Sequence, residues 1–281
     1  MMEFRSLSLD DKERIDRIRK LACHTASSHA FVSLYLWRNA MGLSVAFFED
    51  AFVIKASSGY FFPCGSQNGV ISCLNEIWQD EPDARFYYAR KEDIALCEAV
   101  FGEDVNAEFD AASREYLYLR HEQIEMKGKK FTYQRAKVNK AKRLGEITSC
   151  ELTEALVPTA KAITEEWASR REDKGDFAET LEALDNMEAL GMYGNLLSLD
   201  SKPIGFNLGS FLAEDVFDIH IAKTLCDDVD TLMKLELYLA LPERVVTINR
   251  EEDLGIRGLA IHKQDGQPCG FNDTYILSWK R

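Results

Sequence analysis

The run Met192 to Lys223, MYGNLLSLDSKPIGFNLGSFLAEDVFDIHIAK, contains three apolar segments separated by turn formers. Met192 to Leu199, Ile204 to Leu212 and Val216 to Lys223 read as strands. Asp200-Ser201-Lys202-Pro203 and Ala213-Glu214-Asp215 are connections short enough to make neighbouring strands antiparallel, and the first pair reads as a hairpin. Working outward, Gly191 ends a helix whose face carries Phe177, Leu181, Leu184 and Met187, and a preceding helix carries Leu156, Ala160, Ile163 and Trp167. Downstream, Leu232, Leu235 and Leu239 mark a helix, Val245 to Ile248 a strand, Asp253 to Lys263 a broken helix and Tyr275 to Trp279 a last strand. The order ααβββαβαβ predicts an α/β (α+β) unit, a mixed sheet flanked by helices.

The first half repeats that order without repeating the residues. Helices fall on Ile15, Ile18 and Leu21 and on Phe31, Leu34 and Tyr35, followed by strands at Leu43 to Phe48, Phe52 to Ala56 and Tyr60 to Phe62. A helix on Val70, Leu74 and Ile77, a strand at Arg85 to Ala89, a helix on Ile94, Cys97 and Phe101 and a strand at Tyr116 to Leu119 complete it. Two tandem units are expected, 1–125 and 126–281, the second including a basic connecting helix. A length of 281 residues suits two modest domains.

Composition narrows the function classes. A hydrophobic content of 46%, with 16 Phe and 10 Tyr, supplies packed cores and excludes a disordered chain. Met1 to Lys20 is crowded with charge, so no secretory signal is expected, and the longest charge-free stretch, Ala56 to Asn75, is interrupted by Pro63 and three glycines, so no membrane span is expected. Seven scattered cysteines without C-x-x-C or zinc-type spacing point to buried, reduced thiols in the cytoplasm and to no metal. The net charge of −13 argues against general nucleic-acid coating, yet Lys127 to Arg143 holds eight basic and no acidic residues, which leaves −21 for everything else. If Phe131 to Leu144 is a helix, Phe131, Gln134, Val138 and Ala141 share its buried face. Basic residues on both flanks could then straddle phosphates, or the helix could be a solvated connector.

Particular runs carry a family resemblance: Arg114-Glu115-Tyr116-Leu117-Tyr118-Leu119, Lys127-Gly128-Lys129-Lys130, Ile219-His220-Ile221-Ala222-Lys223 and Ile248-Asn249-Arg250-Glu251-Glu252-Asp253-Leu254-Gly255, with Trp37-Arg38-Asn39 earlier. They resemble the bacterial family of phosphatidylglycerol lysyltransferase C-terminal-like proteins, which is related to Fem-type aminoacyltransferases. The resemblance spans almost the whole chain. It implies two tandem GCN5-related acyltransferase-like units and transfer of an acyl or aminoacyl group, with aminoacyl-tRNA as a possible donor and an amine or hydroxyl as acceptor. A small molecule or a lipid would supply that acceptor. The chain departs from the family pattern at Thr132, where histidine is usual, at Ala136, where asparagine is usual, and at Ala222, where glutamate is common. These departures leave open a module that keeps the fold and binds a metabolite or protein without catalysis.

The site expectations follow. His220, on the third strand of the meander, has a reference pKa of ~6.5 and suits a general base, with Asp253 as its catalytic companion. Lys129, Lys130 and Arg135 on the basic strip, Lys223, Asn249, Arg250, Glu251 and Glu252 are the expected substrate-binding residues. The charged run also fits a helix cap, because Asn249 and Glu252 have capping-box spacing, but a cap explains neither Arg250 nor Gly255 and Gly258. No cofactor is expected. The turn Thr224 to Thr231 has no glycine and three aspartates, which would repel a coenzyme A pyrophosphate, while Gly65-Ser66-Gln67-Asn68-Gly69 could be an anion nest or a plain capped loop.

Overall fold

The computed structural model describes residues 2–102 and 105–279. The chain divides into two compact units. The first comprises Met1–Glu115, Glu252–Ile256 and Phe271–Arg281, and the second Tyr116–Glu251 and Arg257–Gly270. Each is a mixed sheet flanked by helices, as the two ααβββ patterns require.

In the first unit the strands Ser44–Phe48, Ala51–Ala56 and Gly59–Phe61 form an antiparallel meander, and Gly59–Phe61 runs parallel to Phe86–Ala89. The chain's last strand, Tyr275–Trp279, then lies between Phe86–Ala89 and Val105–Phe109, antiparallel to both. Leu277 and Trp279 join Val53, Leu74, Phe86 and Cys97 in the core, and the Trp279 ring stands 4.4 Å from that of Trp78. The element order predicts this strand in the second unit and Tyr116–Leu119 in the first, and the structure exchanges them. Alternating apolar residues identify a strand but not its neighbour, which is set by where its side chains find a core. Val105–Phe109 escaped the reading because it is an edge strand buried only at Val105.

The turn before the helix Gln67–Asp80 is a capped loop. Ser66 Oγ accepts the Gly69 N–H at 3.1 Å and donates to Asp50 Oδ1 at 2.6 Å. A Cβ on Gly65 would stand 2.5 Å from Ala51, and one on Gly69 would stand 2.7 Å from the Asp50 carboxylate. Both glycines therefore serve close packing, and a carboxylate occupies the place an anion would take.

The second unit carries the meander on which the sequence reading rests. Its sheet begins with the short strand at Gly270 and continues through Glu115–Leu119, Thr247–Asn249, Val216–Thr224, Lys202–Phe211, Tyr193–Leu199 and Ile147–Glu151. Thr247–Asn249 and Val216–Thr224 run parallel, and the pairings of Glu115–Leu119 with Thr247–Asn249 and of Val216–Thr224 through to Ile147–Glu151 are antiparallel. The helix Asp230–Ala240 covers one face, with Ala222 packed against its cluster of Leu232, Met233 and Leu235. Val157–Ser169 covers the other face, where Lys223 Nζ lies 4.0 Å from the Trp167 ring centroid. Consecutive residues thus serve opposite layers. The basic helix forms as Thr132–Ala141 with Phe131, Gln134, Val138 and Ala141 buried, as its periodicity demands.

Two local readings change here. The expected helix at Asp253 starts only at Arg257, and Arg250 to Ile256 is an irregular turn with Glu251, Leu254 and Gly255 at φ +57, +55 and +69°. The expected burial of the thiols also fails at Cys23, Cys150 and Cys269, which are exposed. No helix among the described residues is long and apolar enough to cross a membrane.

Candidate functional site

Strand pairing sets the site in the second unit. Asp218 is paired laterally with Ser210 on one side and with Asn249 on the other, so three polar residues form a row across the sheet. Next to that row the register slips. Leu208 pairs with Ile221 and Gly209 with Ile219, which leaves His220 as an extra residue in a β-bulge. A bulge twists its strand and re-aims the side chain it carries. Gly209 makes the bulge possible, because a Cβ there would stand 2.0 Å from the Asp218 carbonyl.

The His220 ring is held at both nitrogens. Nε2 lies 2.8 Å from Ser210 Oγ, and Nδ1 lies 2.8 Å from Glu251 Oε1 and 3.5 Å from Asp218 Oδ2. A carboxylate only accepts, so Nδ1 carries the proton and Nε2 accepts from the Ser210 hydroxyl. Glu251 is turned toward the ring by local chemistry. Asn249 Oδ1 accepts the Glu251 N–H at 2.8 Å, an Asx turn that holds Glu251 in the left-handed region. Asn249 is therefore not a helix cap but the residue that shapes the turn delivering Glu251.

The histidine side chain is 4% exposed, Asp218 is fully buried and Glu251 is 24% exposed, so the carboxylate facing solvent is the one on the turn. Carboxylates at Nδ1 fix the tautomer and leave Nε2 with its lone pair toward Ser210, an arrangement chemically able to accept a proton. Asp218, His220 and Glu251 are also the one group among the described residues whose ligand atoms, all within 4.8 Å of one another, suit a metal ion. Ser210 and Asp218 were missed in the sequence because a serine and an aspartate inside apolar strands carry no motif. Pairing with the His220 strand is the only signal, and it is not local.

The remaining expected site residues fall elsewhere. Lys223 is 3% exposed and pairs with Asp176 beneath Trp167, where burial lowers its pKa against the pull of that carboxylate. It is on the layer away from Ala222 and is bound up in packing. Asp253 and Glu252 belong to the first unit, and Asp253 Oδ1 accepts the Gly255 N–H at 2.8 Å, which closes the turn. On the basic strip, Lys130 pairs with Glu122 at 2.9 Å, Lys140 with Asp228 at 2.8 Å, and Arg135 donates to the Met126 and Gly128 carbonyls. Arg135 thereby ties down the loop before its helix. Lys129 is exposed. Arg250 is 9% exposed and lies over the Tyr118 ring at 4.9 Å. In the acidic turn, Asp230 points inward to Lys234 and to His262 Nε2, the latter at 3.3 Å. Burial opposes ionisation of Asp230, but Lys234, His262 and Arg250 outweigh it and hold its carboxyl well below the usual range.

A family model described as "Phosphatidylglycerol lysyltransferase, C-terminal" matches residues 19–277. No curated protein matches the chain. Among solved structures, a conserved protein of unknown function from Bacteroides thetaiotaomicron is 26% identical, covers 100% of both chains and superposes with a TM-score of 0.87. The C-terminal domain of a candidate lysylphosphatidylglycerol synthetase from Agrobacterium fabrum is 14% identical, covering 96% of this chain and 92% of that one, with a TM-score of 0.68. L-PGS from Bacillus licheniformis is 14% identical, covering 88% and 91%, with a TM-score of 0.63.

Proposed function

The chain belongs to the phosphatidylglycerol lysyltransferase C-terminal family, and from that premise we propose that it is an aminoacyltransferase that moves an aminoacyl group from aminoacyl-tRNA to an amine or hydroxyl acceptor in the cytoplasm. The observation that carries the reading is the Ser210, His220 and Glu251 relay, with 2.8 Å at each step. In the reaction the acceptor's nitrogen or oxygen attacks the ester carbonyl, the new amide or ester bond forms, and the bond to the ribose oxygen breaks. The acceptor's proton passes to the Ser210 oxygen while the Ser210 proton passes to His220 Nε2. Glu251 and Asp218 stabilise the imidazolium, which returns the proton to the leaving ribose oxygen. The basic strip, with Lys129 at its exposed start, takes the tRNA phosphates. Coenzyme A is disfavoured as donor in the C-terminal unit, because the turn Thr224 to Thr231 has no glycine to bring backbone N–H groups to a pyrophosphate.

The test supplies a labelled aminoacyl-tRNA pool, coenzyme A thioesters and a cell extract to the purified protein and follows the label. Transfer from aminoacyl-tRNA that disappears in His220→Ala is the expected result. Equal transfer by His220→Ala would overturn the site assignment, and no transfer from any donor would overturn the enzyme class. A second reading, a binding module without catalysis, is favoured by the burial of Ser210 at 5% exposure and of the His220 side chain at 4%. It predicts ligand-induced stabilisation without label transfer.

A further inference from the structure

The second unit holds a cleft that the transfer reading does not use. It opens to solvent and is walled by Arg250, Tyr238, Gln134, Lys234, Asp230 and Lys137, among others. Three of these side chains are more than nine-tenths buried, and two of them present buried polar atoms that no described protein atom satisfies. Tyr238, 3% exposed, has no hydrogen-bond partner for its hydroxyl, and Gln134, 5% exposed, has none for Oε1. Arg250, 9% exposed, has no carboxylate within ion-pair distance among the described residues and rests on the Tyr118 ring. Leaving such atoms unpaired destabilises the fold, so two of them on one wall beside the Arg250 guanidinium point to a built site.

The charges around the cleft define what fits. Lys234 and Asp230 form an ion pair and neutralise one another, while Lys137 and Asp265 are of opposite sign, so Arg250 leaves an excess of one positive charge. Room for its guanidinium is made by Gly266, where a Cβ would stand 2.8 Å from Nη1 and 2.8 Å from the Tyr118 ring. A guanidinium only donates, in a flat fork that matches a carboxylate, and the Tyr238 hydroxyl adds a third donor. Gln134 Oε1 only accepts, so the ligand must carry an N–H or O–H beside its anionic group. We infer that this cleft binds a small α-amino or α-hydroxy acid, its carboxylate on Arg250 and Tyr238 and its amine or hydroxyl on Gln134. The inference rests on the cleft alone and does not require the transfer reading.

Calorimetry and thermal denaturation of the full chain test it, with L-alanine, L-serine, L-lysine and L-lactate as probes and with propionate, L-alaninamide and inorganic phosphate as controls. The acids carrying an adjacent donor raise Tm, propionate binds more weakly, and the amide, which lacks the anion, does not bind. Arg250→Gln weakens binding at least about tenfold and Tyr238→Phe about fivefold. Tyr238→Phe also leaves the ligand-free Tm equal or higher, because it removes an unsatisfied hydroxyl. Binding of none of the acids, a preference for phosphate, or affinities unchanged in both variants would overturn the inference. Loss of acid binding with label transfer intact would sink it and leave the aminoacyltransferase reading standing. Acid binding without label transfer would do the reverse.

Discussion

Two buried histidines, His29 in the first unit and His220 in the second, each touch a serine hydroxyl, and they differ in what holds the other ring nitrogen. His29 Nδ1 lies 3.0 Å from Ser28 Oγ and Nε2 2.8 Å from the Phe62 carbonyl. His220 replaces that carbonyl with the Glu251 carboxylate at 2.8 Å and has Asp218 behind it. A carbonyl fixes a tautomer but gives little support to a positive ring, and burial drives the His29 pKa down to about 3. His24, whose ring centroid is 4.4 Å away, is depressed well below its usual value by burial and by the neighbouring positive groups. The same residue type beside the same hydroxyl is thus held neutral by burial in one unit and backed by a carboxylate in the other.

The comparison breaks most readily at His220. His220→Ala should lower label transfer by about 10²–10⁴-fold with the fold retained by circular dichroism, and a variant of parental activity would erase the distinction between the two histidines. Glu251→Gln keeps the size of the side chain and removes the counter-charge. It should cost transfer about 10²-fold or more, read from kcat rather than KM, whereas a change in KM alone would mean that Glu251 binds substrate and does not orient the ring. At His29 the expected cost is in stability. His29→Ala opens a cavity and strips the Phe62 carbonyl of its donor, so urea unfolding should show a loss of about 2–4 kcal/mol, with transfer at a permissive temperature unchanged.

His29 also predicts a pH profile. A folded value of about 3 for His29, against ~6.5 in the unfolded chain, means that the unfolded chain takes up the proton first. Its contribution is complete above about pH 6.5 and is lost as pH falls toward 3, at about 1.4 kcal/mol per unit. Urea midpoints between pH 7 and 4 check this, and a flat profile in that range would contradict it. The smallest expected effect is Lys130→Ala. It breaks a half-exposed pair with Glu122 and should change stability by less than about 0.5 kcal/mol while reducing the salt dependence of tRNA binding.

Much of the second unit was legible in sequence. The meander, the helix terminated at Gly191 with φ +67° and the buried face of the basic helix follow from periodicity and turn chemistry, which are local. His220 and the charged run were legible as chemistry. Their roles divided in a way that spacing does not report: Glu251 turns to His220, Arg250 lines a cleft, Asp253 closes a turn, and Lys223 is consumed by Asp176. Edge strands such as Ile147–Glu151 were illegible because their exposed side chains need no alternation.

Sequence by itself determined the buried helices and strands, their order and the family pattern, since hydrophobic period, capping residues and glycines act over a few neighbours. Only the tertiary structure decided which strand closes which sheet, which serine and aspartate flank His220, and which buried polar atoms are left without partners. Those outcomes depend on register and on contacts between residues far apart in the chain, where one slip of a strand exchanges one face for the other.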